Sequence, residues 1–149
     1  MKKGLSVLLC VVLLCGLCAC GKGRAIRANN TTFLVEFHNT CEADIYTIHY
    51  EYYLGDTPIG GGEMGNADNS AIEPDDVLTK DFIKKDFPEN ADLRDFKLEI
   101  FATDHYKNEY PCDPVLPFEV EYGKTYSIEL SGSFLDGFSV RTMEVNVNE

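Results

Sequence analysis

The sequence has 149 residues, with 13 basic against 25 acidic side chains and a formal net charge of −12. A chain of this length suits a single domain built around one hydrophobic core. The acidic balance excludes a nucleic-acid-binding surface, because such a surface needs a basic face to contact phosphates.

The first nineteen residues have the pattern of an export signal. Lys2 and Lys3 precede an uncharged apolar run over residues 5–17, and the small residue Ala19 follows it. A membrane-spanning helix needs about 20 apolar residues, so this shorter run is better explained as a cleaved leader. The sequence therefore predicts a signal-peptide helix over residues 1–19 and export of the remaining chain.

The end of this leader resembles the lipobox of bacterial lipoproteins. The matching residues are Leu17, Cys18, Ala19 and Cys20, with leucine three places before the cut, a small residue before it and cysteine after it. The match departs at Cys18, where Ala, Ser or Thr is more usual. The resemblance implies that Cys20 receives a diacylglyceryl group. It also implies that the protein is lipid-anchored in the cell membrane, on the extracytoplasmic face, with the bilayer as a partner.

A metal cluster is the alternative interpretation of the crowded cysteines. Thiolate sites need a folded frame with fixed ligand geometry, which an apolar leader does not provide. Cys10, Cys15 and Cys18 each follow a leucine, so none of them has the small preceding residue that a lipobox requires. They are interpreted as small apolar residues of the leader.

Residues 20–31 are predicted to form a lipidated tether that is basic, although the domain behind it is acidic. Removal of the leader leaves a net charge of −14, and the chain from Asn29 onward carries −17. Lys22, Arg24 and Arg27 are each expected to contribute about 1 kcal/mol of attraction to anionic headgroups, or else merely to keep the tether soluble. The ten or so residues of the tether reach at most about 35–40 Å.

Residues 32–149 show the period-two alternation of strands that bury one face. Four such runs point apolar side chains to one side: Phe33, Val35 and Phe37; Tyr46, Ile48, Tyr50 and Tyr52; Phe96, Leu98, Ile100 and Ala102; Tyr126, Ile128 and Leu130. This alternation is typical of antiparallel sheets packed in two layers. The pattern predicts an all-β domain, an antiparallel two-layer β-sandwich of about seven to eight strands.

Turn residues separate these runs. Hairpins are predicted at 55–58, at 104–108 and at Asp136-Gly137, and a further strand is expected over 75–83. Within 84–95 a helical turn is expected around residues 87–93, and the glycine run 60–62 indicates a bulge or a weak sheet edge. If the first two strands pair through residues 40–43, His38 lies opposite Ile45.

The stretch EYGKTYSIEL, residues 121–130, resembles the corner before the penultimate strand of immunoglobulin-like and fibronectin type III sandwiches. In that corner a glycine-containing turn precedes a tyrosine whose hydroxyl returns to the upstream backbone. Gly123 and Tyr126 occupy these places, although the tryptophan of antibody domains is absent. The resemblance implies an Ig-like sandwich in which the Tyr126 hydroxyl bonds to the backbone. Otherwise Tyr126 is simply a core aromatic.

Cys41 and Cys112 are the two cysteines of the exported body. An oxidising compartment permits a disulfide between them, and closing so long a loop stabilises by about 4 kcal/mol in the chain-entropy model. We predict this disulfide, the alternative being two free buried thiols.

The sequence offers little sign of catalysis or of a cofactor. It contains neither the Gly-x-Ser-x-Gly elbow nor the His-Glu-x-x-His zinc signature, and its three histidines are spread over two strands and a turn. The loop 63–76 supplies the hard oxygens that calcium takes, but without the EF-hand spacing, and Asn, Asp and Ser also form ordinary turns. No catalytic residue and no metal ligand is predicted.

These features favour a membrane-tethered, noncatalytic binding or structural module of the cell envelope. Its ligand is an unknown protein or glycan. The alternative is an envelope hydrolase or a calcium-dependent carbohydrate-binding domain that uses the loop 63–76. A pocket with two converging carboxylates would favour the enzyme.

Overall fold

The computed structural model describes residues 26–143. The predicted signal peptide, Cys20 and the first residues of the tether lie outside this range, as do residues 144–149. Eight strands make up the described part: β1 (Thr32–Asn39), β2 (Thr47–Leu54), β3 (Thr57–Gly65), β4 (Val77–Ile83), β5 (Phe96–Thr103), β6 (Glu109–Phe118), β7 (Thr125–Ser133) and β8 (Gly137–Thr142). Its only helices are two short 3₁₀ helices, Lys84–Asp86 and Leu93–Asp95. The prediction of an all-β domain is confirmed. The helical turn expected around residues 87–93 is wrong in position, since the two 3₁₀ helices lie at either end of that stretch and residues 87–92 are not helical.

The strands form one mixed sheet in the order β3-β2-β5-β6-β8-β7-β1-β4. The prediction of a purely antiparallel arrangement is wrong at two places, since β1 pairs with β7 and β6 pairs with β8 in parallel. The other five pairings are antiparallel. The predicted hairpins β2–β3, β5–β6 and β7–β8 are all present.

The first two strands do not pair with each other, because the chain leaving β1 bonds to β7. The amides of Thr40 and Glu42 donate to the carbonyls of Leu130 and Gly132 at 2.8 and 3.0 Å. His38 therefore lies opposite Val77 of β4 and Glu129 of β7. The expectation that β1 and β2 form a hairpin is wrong for this reason.

The core lies between the inward faces of β1 and β4 on one side and of β2 and β5 on the other. Phe33 of β1 stacks on Phe82 of β4, with ring centroids 5.0 Å apart, and meets the edge of Phe96 of β5 at 5.5 Å. Further along, Phe37 of β1 contacts Tyr50 of β2. The side chains predicted to point inward on β1 and β5 are all fully buried. Each such side chain contributes about 1.5–3 kcal/mol of hydrophobic stabilisation.

The glycine run lies on β3, which is an edge strand, as the sequence indicated. The Tyr52 and Tyr50 rings lie across Gly60 and Gly62, and a Cβ on either glycine would come within 2.7 Å of a tyrosine hydroxyl. A register irregularity falls between Tyr52 and Tyr53 of the partner strand. Glycine is needed here because the two core tyrosines occupy the space of a side chain.

The strand directions divide the domain into two ends. At the tether end, β1 begins and β4 finishes, since Thr32 pairs with Ile83. At the far end β1 finishes, and there Thr47 at the start of β2 pairs with Thr103, the last residue of β5. The eight residues of β1 separate these ends by roughly 25 Å at about 3.3 Å per residue.

Candidate functional site

A cleft of about 210 Å³ opens at the far end of the domain. It lies between the β5–β6 turn, the start of β2 and the loop that follows β3. We call it the far-end cleft, and it is lined by Tyr46, Thr47, Glu63, Asn69, Thr103, Asp104, His105, Lys107 and Glu109. Its lining combines two aromatic rings, those of Tyr46 and His105, with carboxylate, amide, hydroxyl and ammonium groups.

Thr103 lines this cleft, but its hydroxyl oxygen lies beneath the surface with almost no accessible area. The residue is 5% exposed, and its Oγ1 atom has no hydrogen-bond partner within the described residues. Its backbone carbonyl accepts a hydrogen bond of 2.8 Å from the Tyr46 amide, so the position of the residue is fixed. A buried hydroxyl without a partner costs free energy, and a ligand hydroxyl or amide in the cleft would provide that partner once the side chains that cover the oxygen move aside.

Asp104 shapes the β5–β6 turn at the edge of the cleft. Its Oδ1 accepts the amides of Tyr106 and Asn108 at 2.8 and 2.9 Å, and its Oδ2 accepts the Asn108 side-chain amide at 2.8 Å. Burial works to raise the pKa of Asp104, but hydrogen bonds from Asn108, Tyr106 and Tyr110 outweigh it and lower this pKa. The Asp104 carboxylate therefore stabilises the β5–β6 turn, and the turn places the neighbouring His105 at the cleft.

Glu109 is also occupied by a neighbour. Its Oε1 lies 2.6 Å from Nδ1 of His49, whose ring stacks on Phe101 with centroids 5.3 Å apart. Of the three cleft carboxylates, Asp104 is thus bound in the turn and Glu109 is paired, so only the exposed Glu63 remains. Among the described residues, the cleft therefore does not present the pair of free carboxyl groups that glycoside hydrolysis uses.

Two glutamates do converge elsewhere, on the outer face of the sheet. Glu51 and Glu99 are cross-strand partners on β2 and β5, and both accept the Tyr53 hydroxyl, at 2.6 and 3.0 Å. These two hydrogen bonds, that from Glu51 first, raise the pKa of Tyr53. Sequence reasoning missed this trio, although the outward positions of Glu51, Tyr53 and Glu99 were visible in the alternation. The trio lies on an open strand face, and its phenol already occupies the space between the carboxylates.

The loop 63–76 uses its polar side chains to hold its own shape. Asp68 accepts the Ser70 amide at 3.0 Å, and Asp76 accepts the Glu73 amide at 3.0 Å. The hydrogen bonds from Ser70 lower the pKa of Asp68. From the core side, the buried Asn39 donates to the carbonyls of Ile72 and Glu73. Among residues 26–143, no cluster of three or more His, Cys, Asp or Glu side chains has the arrangement of a metal site.

The three histidines lie on different parts of the molecule. His38 is on the outer face of β1, where its Nε2 lies 3.7 Å from Glu36, and His49 pairs with Glu109 as described above. The ring of His105 faces Tyr46 at the cleft, with centroids 5.8 Å apart. The prediction that Tyr46 points inward is wrong, because β2 begins one residue later and Ile45 is the fully buried residue. Tyr46 therefore reaches His105 at the cleft. This contact depends on the pairing of β2 with β5, so it could not be predicted from the turn alone.

Cys41 and Cys112 are both buried, and both are free thiols in the structure. Burial raises the pKa of Cys41 to about 11. It also raises the pKa of Cys112 to about 12, with a smaller contribution from nearby Cys41. The disulfide between them stays a prediction. As free thiols, Cys41 and Cys112 are both buried, so neither sulfur is exposed to reagents at the surface.

No family model matches the chain, and no curated protein matches it. The chain is similar to several solved structures at low sequence identity. The first is a disulfide-locked mutant of intermedilysin with human CD59 (TM-score 0.40, 9% identity, 77% of this chain and 24% of that chain). The second is a protein from Eubacterium rectale solved by NMR (TM-score 0.43, 11% identity, 79% and 94%). The third is the membrane-binding domain of pneumolysin (TM-score 0.39, 8% identity, 77% and 98%). The chain thus spans about a quarter of the intermedilysin chain.

Proposed function

We propose that the protein is a noncatalytic, lipid-anchored module of the bacterial cell envelope that binds its ligand at the far-end cleft. The observation that carries the proposal is the placement of tether and cleft at opposite ends of the domain. The tether enters β1 at Thr32, whereas Thr103 and the rest of the cleft lie roughly 25 Å further along the strands. A lipid on Cys20 then holds one end of the domain toward the bilayer and turns the cleft away from it.

The chemistry of the cleft supports a ligand rich in hydroxyl or amide groups, such as a glycan or a protein loop. Tyr46 and His105 offer ring faces, and Glu63 and Lys107 supply an acceptor and a donor at the rim. The Thr103 hydroxyl lies unpartnered just beneath this lining. Sites of this kind fix a ligand with few, well-placed polar groups beside apolar surface. No helix in the described range is long and apolar enough to cross a membrane.

The arrangement of the eight strands into two layers is also proposed. We infer a two-layer, Ig-like sandwich, with β3, β2, β5 and β6 in one layer and β8, β7, β1 and β4 in the other. The aromatic contacts between β1 and β5 support this arrangement, as does a hydrogen bond of 2.9 Å from the Glu121 amide to the Tyr126 hydroxyl. The parallel pair β6–β8, of only two residue pairs, forms the seam between the layers.

The lipid anchor is tested by feeding cells labelled palmitate. Cys20→Ala is expected to lose the label and to retain the leader. Cys18→Ala is the matched control, because it brings the lipobox closer to its usual form, and it should be labelled as strongly as the wild type. Equal label in Cys20→Ala and wild type would disprove the anchor.

The binding role is tested by ligand capture with the full protein in detergent. A glycan array and an envelope extract are offered to the wild type, to Thr103→Val and to His105→Ala, with Tyr53→Phe on the outer face as control. Wild type and Tyr53→Phe are expected to retain the same ligand and the two cleft variants to lose it. Retention by all four proteins would place binding elsewhere. Turnover of a glycan by the wild type would favour the hydrolase alternative.

A further inference from the structure

The tether end carries an apolar groove that the proposed ligand-binding role does not use. It is lined by Thr31, Ile83, Lys84, Lys85, Phe87 and Glu89, with a volume of about 550 Å³. Ile83 is 38% exposed, although it is the last residue of a strand whose preceding residue, Phe82, is fully buried. We call this surface the tether-end groove.

Two lysines at the rim of the groove lack the partners that most other cations of the domain have. Within the described residues, Lys80, Lys97 and Arg141 each form an ion pair with a carboxylate, as do Arg94 and Lys124. Lys84 and Lys85 form none, and both are exposed side chains of one 3₁₀ helix. The part of the chain from Asn29 onward carries −17, so two adjacent lysines without an ion pair stand out against it. Asp86 follows them in the same 3₁₀ helix, where its carboxylate accepts the Ile83 amide at 3.0 Å. Glu89 is the acidic residue on the same rim.

The groove adjoins the point where the tether enters the domain. The Lys84 amide donates a hydrogen bond of 2.8 Å to the carbonyl of Thr31, the last tether residue. This bond fixes the lysine pair beside the tether. The residues between Cys20 and Thr32 span at most about 35–40 Å, so a lipid on Cys20 keeps the groove within that distance of the bilayer.

We propose that the tether-end groove docks on an anionic bilayer surface. Ile83, exposed at the rim, contacts the boundary between headgroups and acyl chains, while Lys84 and Lys85 contact the lipid phosphates; Phe87, only 7% exposed, belongs to the lining of the groove. Apolar side chains flanked by lysines are the combination that binds such an interface. The proposal rests on the lipid anchor of the proposed function, and it adds that the domain lies against the membrane in one orientation. The far-end cleft then faces outward.

The test measures how closely each end of the domain approaches the acyl chains. The acylated protein carries an environment-sensitive dye at Ile83→Cys or, as matched control, at Leu135→Cys, a far-end position that is 96% exposed. Both variants are reconstituted into phosphatidylcholine vesicles, with or without phosphatidylglycerol, that contain a quencher on the acyl chains. We expect several-fold stronger quenching at Ile83→Cys than at Leu135→Cys, and only with the anionic lipid.

The charge requirement is tested by adding Lys84→Glu and Lys85→Glu to the Ile83→Cys protein, which should reduce quenching to the level of the Leu135→Cys control. Equal quenching at the two ends would overturn the docking, and so would quenching that ignores the anionic lipid. If the dye at Ile83→Cys is buried but not quenched, a second copy of the protein or the tether itself fills the groove. That result would also overturn the proposed docking on the bilayer. Intact mass reports acylation separately: an absent acyl group overturns the lipid anchor and the docking with it, whereas an acylated but unquenched protein overturns the docking alone.

Discussion

The backbone amide of Glu121 donates a hydrogen bond of 2.9 Å to the phenol oxygen of Tyr126. Gly123, between them, has a φ of +90° and donates its amide to the carbonyl of Thr32 at 3.0 Å. Together these bonds join the turn before β7 to the start of β1. The parallel pairing of β1 with β7 begins immediately beyond them, at Leu34 and Thr125. The hydrogen bond predicted for the Tyr126 hydroxyl is therefore present, and it helps to set the strand order of the domain.

Tyr126→Phe is expected to lower the free energy of unfolding by about 0.5–1.5 kcal/mol, the usual net value of one hydrogen bond. The ring and its contacts with Phe33 and Phe118 are retained, so the change isolates the hydroxyl. Tyr122→Phe is the control, since the Tyr122 hydroxyl forms no hydrogen bond within residues 26–143. Urea denaturation measures both variants, and equal losses would show that the corner bond adds nothing.

Phe33→Ala is expected to cost about 3–5 kcal/mol, as large-to-small changes of buried phenylalanine do. Phe33 contacts Phe82, Phe87 and Phe96 on three different segments, so its removal opens a cavity between both sides of the core. The control is Leu135→Ala at an exposed site, where a change within about 0.5 kcal/mol is expected. A loss below 1 kcal/mol for Phe33→Ala, on the order of an exposed substitution, would contradict the packing described here.

The buried thiols predict a loss of stability at alkaline pH. The pKa of Cys41 is raised from 9.0 to about 11 and that of Cys112 from 9.0 to about 12. The folded state holds these protons after the unfolded state has released them, so their stabilisation is complete below pH 9 and is lost between 9 and 11–12. In reduced protein, the urea midpoint should fall over this range.

The control for the thiol prediction is the double variant Cys41→Ala and Cys112→Ala, in which the fall should be shallower. A disulfide also removes both protons, so a sample in which the predicted bond has formed should show the shallower profile. Its mass should be two hydrogens lower than that of the reduced protein. Parallel profiles for reduced wild type and double variant would contradict the assignment to the thiols.

Thr103→Val is expected to separate stability from binding. It keeps the β-branched shape but removes a buried hydroxyl without a partner, so the free protein should be equally stable or more stable by up to about 1–3 kcal/mol. Ligand capture should fall at the same time. Thr103→Ser keeps the hydroxyl and should retain the ligand. Should Thr103→Val prove less stable than Thr103→Ser, the hydroxyl must already have a partner in the free protein.

Calcium is expected to leave the stability unchanged, because Asp68 and Asp76 already accept amides of their own loop. A bound ion at about 100-fold excess over its Kd would add about 2.7 kcal/mol, a shift of several degrees in Tm. The comparison is between calcium and magnesium at equal ionic strength, because any divalent cation screens the acidic domain. A calcium-specific rise that Asp68→Ala abolishes would establish a site in the loop.

The sequence by itself determined where most strands lie and, on β1 and β5, which face points inward. It was wrong at Tyr46, which was predicted to point inward but lines the cleft, while Ile45 is fully buried. Alternation with a period of two is a local property, and for this reason the inward positions of β1 and β5 were predicted correctly, as were the three hairpins closed by glycine and aspartate turns. The corner at Tyr126 was predictable for the same reason, since its two partners lie five residues apart. The leader and Cys20 remain predictions, because they lie outside the described residues.

Only the tertiary structure decided which strands are neighbours. β1 lies beside β4 and β7 rather than β2. After β1, the Thr40 amide bonds to the carbonyl of Leu130, ninety residues further along the chain. The chain therefore does not form the expected hairpin. The far-end cleft depends on the same pairings, since they bring His105 to Tyr46. Contacts between distant segments are chosen by the fit of whole faces and by the saturation of backbone groups. The alternation of apolar and polar residues within one strand does not show which other strand will lie beside it.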